Sequence, residues 1–93
     1  MLRDAKGKAT DTDASVMLLG ALAWVCGDDD RAHRFVALTG IDVAELRARA
    51  TEPAILGAVG QFLADHEPDL IACAAVLDIP PATLAAAAGR LTG

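Results

Sequence analysis

Two cysteines, two histidines, a single serine and several runs of charged side chains are the groups in this 93-residue chain that could do chemistry. Cys26 and Cys73 could supply thiolates for nucleophilic, redox or metal chemistry. His33 has Asp29 four residues before it, and His66 stands among Asp65, Glu67 and Asp69, which raises metal binding as a possibility to test. A zinc site needs about four convergent nitrogen and sulfur ligands at set spacing. A calcium loop needs a central glycine and a terminal glutamate. Neither cluster meets either pattern, and acids at helix starts are explained by the helix dipole. Ser15 lies beside a helix start, where capping is its ordinary role. No nucleophile motif, glycine-rich phosphate loop or paired Glu/His signature is present. The sequence therefore predicts no catalytic residue, no metal and no cofactor.

The cysteines lie in separate apolar runs. They read as two reduced small hydrophobes of a cytoplasmic protein rather than as a disulfide. The run Val16–Cys26 (VMLLGALAWVC) has no charge, but it is too short to span a membrane, which takes about 20 residues. Residues 1–15 carry as many acids as bases, so the positive region of a signal peptide is missing.

The elements that must position these groups are helices. Alanine occupies 21 positions and leucine 12, while aromatics make up 3% of the chain and tyrosine is absent. That composition argues against most all-β folds and against disorder. The expected fold is all-α: a compact bundle of five or six short helices, with residues 1–12 as a flexible tail and 13–93 as a single helical domain. A first helix, about Asp13–Cys26, has Asp11, Thr12 and Asp13 as capping candidates. The second starts from the Asp28-Asp29-Asp30 run and ends at Thr39, where Gly40 and Ile41 predict a Schellman turn. Asp42-x-x-Glu45 predicts a capping box for a third helix, Asp42–Ala50. Thr51 is the expected cap of a fourth, about Glu52–Asp65, with Ile55, Val59, Phe62 and Leu63 inward. A fifth, Glu67–Leu77, has Leu70, Ile71, Ala74 and Leu77 as its stripe. Pro80-Pro81 ends it and starts a sixth, about Pro81–Leu91. Gly57 and Gly60 fall inside a helix and predict close helix approach.

The chain also resembles itself. LGA at 19–21 matches LGA at 56–58, and residues 37–50 align with 75–88, so that Ile41 meets Ile79 and Leu46 meets Leu84. This predicts two pseudo-repeated three-helix units.

The segment Ala74–Leu84 (AAVLDIPPATL) has the outline of a helix-turn-helix, and Val36–Leu46 echoes it. Composition opposes a DNA-binding regulator as the function. A recognition helix needs side chains that reach bases and phosphates, and Pro81–Leu91 offers one arginine and a row of alanines. The net charge of −5 repels nucleic acid as well, and residues 50–93 hold five acids against Arg90.

The string HRFVALTGIDVAELRARATEPAILGAVGQFLADHEPDLIACAAVLDIPPATL resembles a domain-of-unknown-function family of short all-helical proteins found chiefly in alphaproteobacteria. The likeness covers residues 17–84 and is most specific at Arg34-Phe35 through Ala50 and at Phe62-Leu63-Ala64-Asp65. Pro80-Pro81-Ala82-Thr83 departs from the family pattern. The resemblance implies an intracellular helical protein and brings no activity, cofactor or assigned residues. Together these readings predict a protein-interaction module or adaptor without enzymatic activity. Its partner is another protein, a second copy of the chain included, rather than nucleic acid or membrane. The candidate interaction surface is Asp28, Asp29, Asp30, Arg31, Arg34, Arg47, Arg49 and Trp24. Trp24 reads as core packing ahead of a partner-facing anchor.

Overall fold

In a computed structural model, residues 11–92 are described and form six helices: α1 Asp11–Cys26, α2 Asp29–Thr39, α3 Val43–Ala48, α4 Pro53–Ala64, α5 Glu67–Leu77 and α6 Pro81–Thr92. No strand occurs among the described residues. The all-α expectation holds, with the sixth helix present. The expected tail at 1–12 is shortened, because α1 already begins at Asp11; residues 1–10 lie outside the described residues. Asp11, Thr12 and Asp13 are thus inside the helix rather than ahead of it.

The turns follow local chemistry. Asp28 is extended (φ −134°) and its carboxylate accepts from the Arg31 amide at 3.0 Å, which caps α2. Asp42 caps α3 in the same way through the Glu45 amide, 2.8 Å. The predicted box is half formed, since the Glu45 carboxylate pairs with Arg49 instead. Thr51 does not cap α4. Glu52 occupies that position without a side-chain bond, and Pro53 opens the first turn, where a missing amide costs nothing.

Two described residues have positive φ, Gly40 (77°) and Asp78 (60°), and they occupy matching places in the two halves. The turn at Gly40 is a simple left-handed stop: its amide reaches the Val36 carbonyl, but the Ile41 amide is taken by the Thr39 hydroxyl at 3.2 Å. The full Schellman turn forms at the other copy, where the Ile79 amide reaches the Ala74 carbonyl at 3.0 Å.

The core is built from α1, α4 and α6. α6 packs against both α4 and α1, and these are the most extensive helix contacts. Leu18, Val25, Phe35, Leu46, Ile55, Val59, Leu63 and Leu84 are all buried there. The α5 stripe is rotated from the expected one: Cys73 is buried with Leu70 and Ala74, whereas Ile71 is half exposed. Burial repeats between the halves, with Phe35 matched by Cys73 and Leu46 by Leu84. The packing does not repeat, because α6 is central while α3, its counterpart, spans six residues and only lines a groove with α1.

Candidate functional site

Arg31 follows from its cap. Asp28 fixes the start of α2, which places Arg31 one turn in and turns its guanidinium back over α1. Its terminal nitrogen donates to the Trp24 carbonyl at 2.7 Å, and its central carbon lies 3.6 Å from the Trp24 ring centroid. The Arg31 Nε is buried without a partner, a cost that offsets part of this contact. Trp24 is half-buried and packs against the core. It is a capped edge of the core rather than a free aromatic anchor.

Arg34 bridges α2 to α5 through Asp69, 2.9 Å, over the edge of a Phe35–Phe62 pair whose centroids are 5.3 Å apart. Arg49 binds Glu45 (2.7 Å) and Glu52 (2.8 Å) across the turn between α3 and α4. The Glu52 hydrogen bond, then that of Glu45, raises its pKa further. Asp29 and Asp30 are exposed acids in the first turn of α2. The arginines expected to form one group are therefore separated: Arg31, Arg34 and Arg49 are held in intramolecular bonds. Arg47 alone among these four makes neither a hydrogen bond nor an ion pair through its side chain with a described residue.

Arg47 stands at the rim of an apolar groove of about 330 Å³ lined by Leu19, Leu22, Ala23, Cys26, Leu46 and Ala50. Leu19 also lines a second trough of about 130 Å³, with Ser15, Val16, Thr51 and Leu56. On the other flank of α1, Val16, Met17, Gly20, Leu77 and Ile79 enclose about 250 Å³. Between the troughs runs a ridge on the outer face of α1, with Val16 66% and Leu19 42% exposed and Ala23 exposed beside them. The inner face of α1 is equally apolar: Ala14, Leu18, Ala21, Leu22 and Val25 are all buried. A surface helix ordinarily turns polar side chains outward; α1 turns out valine, leucine and alanine. The uncharged run Val16–Cys26 carried this signal, but the run alone does not say which side of the helix stays open.

The His66 Nδ1 donates to the Phe62 carbonyl at 2.7 Å, and Gln61 donates to Asp65 at 2.9 Å, beside a pocket of about 340 Å³ that Leu38 and Thr39 also line. His33 is exposed. No group of three or more His, Cys, Asp or Glu side chains converges among the described residues. Both cysteines are free thiols; burial pushes Cys73 up to about 11 and raises Cys26, with Arg47 opposing the latter. α5 and α6 meet at 105°, the angle of a helix-turn-helix, but α6 buries Leu84, Ala87 and Ala88. Among the described residues no single helix is long and apolar enough to cross a membrane.

Residues 11–93 match the family described as "Protein of unknown function (DUF3572)", and the chain belongs to that family. No curated protein and no solved structure matches it.

Proposed function

We propose that this chain is a small cytoplasmic protein-interaction module without catalytic activity, and that it docks through the outer face of α1. One observation carries the reading: an exposed apolar ridge with troughs on both flanks and, at one rim, an arginine unpaired among the described residues. A helix lying in such a groove buries its apolar side and meets a cation at the edge, a recurrent mode of peptide recognition. The other three arginines and Trp24 stabilise the fold, so they do not compete as the docking site. Ile71 and Val76 on α5 are exposed too. The α1 face is preferred because it pairs its apolar surface with a shaped groove and a charge. Free thiols that burial holds protonated fit a reducing compartment.

A photo-crosslinking residue at Ala23, on the face, and another at Ala37, exposed on α2, test this in cells that make the protein. The reading requires an adduct at Ala23 and none at Ala37. Equal adducts, or none, contradict it.

The angle between α5 and α6 favours a second reading, DNA recognition through α6. Retardation of duplex DNA at low salt, fading as salt rises, would support it.

A further inference from the structure

We infer that the groove between α1 and α3 binds a free fatty acid of medium chain length, its hydrocarbon lying along α1 and its carboxylate on Arg47. The inference goes beyond the docking reading, which concerns a protein on the α1 ridge. Leu19 and Ala23 belong to both surfaces, so the two occupants compete for them.

Three observations point to this ligand. The first is the lining. Apart from Arg47, the groove is walled by leucine, alanine and Cys26, whose side chains offer no hydrogen-bonding group stronger than a thiol. Such a wall suits hydrocarbon and leaves orientation to the one polar group at the rim. The second is size. The groove holds about 330 Å³. A methylene takes about the space of a water, roughly 30 Å³, so there is room for a chain of about eight to ten carbons. From Leu19 to Cys26 along α1 is about 10 Å, close to the extended length of such a chain.

The third observation is charge. Arg47 stands at the Cys26 end of the groove, and its side chain makes no hydrogen bond or ion pair with a described residue. A guanidinium fork matches a carboxylate through two parallel hydrogen bonds. The neighbouring Arg49 is already held by Glu45 and Glu52. The chain as a whole carries −5 and repels anions. The groove wall is locally of the other sign: burial raises the Cys26 thiol, and the charge that works against burial there is that of Arg47.

Titration of the full chain with octanoate, octanol and octylamine, followed by methyl NMR, tests this. Octanoate should bind with a dissociation constant of about 0.1 to 1 mM. It should move the methyls of Leu19, Leu22 and Leu46 and leave Ile71 and Val76, exposed on α5, in place. Octanol should bind about 3- to 5-fold more weakly, for want of the ion pair. Octylamine should bind more weakly still, although a net charge of −5 draws a cation to the rest of the surface. Octanoate should also slow alkylation of Cys26, which lines the groove. Arg47→Gln should weaken octanoate by about 3- to 5-fold and leave octanol within about twofold. Arg47→Lys should recover part of the loss. Unchanged unfolding midpoints separate a lost head-group contact from a lost fold. The inference is overturned by no saturable binding of octanoate by about 5 mM, by octylamine binding as tightly as octanoate, by shifts shared equally with α5, or by an Arg47→Gln variant that binds octanoate like the original chain. The Ala23 adduct is read without these ligands, so the docking reading stands or falls separately.

Discussion

Gly60 and Ala88 leave no room between α4 and α6 for one more carbon. A Cβ on Gly60 would lie 2.5 Å from the Ala88 Cβ and 2.9 Å from its Cα, with Leu18 at 3.1 Å. The second of these atoms is backbone, so relief requires moving a helix. Gly60→Ala should therefore destabilise by about 1–3 kcal/mol, overpacking outweighing the gain in helix propensity. Gly89, on α6, has nothing within 4 Å of its would-be Cβ. Gly89→Ala should instead stabilise by about 0.5–1 kcal/mol. Urea unfolding of the two variants reads the opposite signs directly.

Asp78 holds a left-handed conformation that glycine holds at Gly40. Asp78→Gly should raise stability by about 0.5–1 kcal/mol, since a non-glycine residue pays a steric penalty there. Gly40→Ala should lower it by about 1 kcal/mol. Thermal midpoints should move in these opposite directions.

Arg31 covers the outer face of Trp24 and binds its carbonyl. Arg31→Ala should cost about 1–2 kcal/mol and shift the fluorescence of the lone tryptophan to the red as water reaches the ring. Arg31→Lys should recover part of the stability only, because an ammonium cannot stack flat on the indole.

Burial holds the Cys73 thiol at a pKa of about 11 against an ordinary 9.0. The unfolded chain loses this proton first as pH rises. The contribution is therefore complete below pH 9.0 and declines through about 11. Denaturant titrations across that window should show stability falling with pH, and Cys73→Ala should flatten the slope. At pH 7 the thiol should react slowly with an aromatic disulfide reagent.

Much of the fold is written locally. Asp28, Gly40, Asp42 and Pro81 set helix bounds by caps and stops that involve neighbours alone, and the observed helices begin and end at or near them. Phase is harder to read in alanine-rich helices. On α5, Ile71 seemed the inward residue by size, yet Cys73 took the core and left Ile71 half exposed. Alanines on both sides give the helix little reason, taken alone, to prefer one rotation. The position of α6 was hidden for the same reason. Its row of alanines gives no sign of which side packs, whereas the short side chains are what let it lie against Gly60. The candidate surface was legible as residue types and not as a place. Four arginines looked alike in sequence, and only the turns of the chain decide that Arg31, Arg34 and Arg49 find partners while Arg47 meets the groove.

The central claim is that the outer face of α1 serves docking and not folding. Leu19→Asp, combined with the photo-crosslinker at Ala23, tests it most directly, with adduct yield and unfolding midpoint measured on the same variant. The docking account predicts that the adduct disappears while the unfolding free energy falls by no more than about 1–1.5 kcal/mol, the loss of helix propensity and of partly buried apolar surface at one position. An adduct that persists, or a collapse of stability that shows Leu19 to be a core residue, would contradict it.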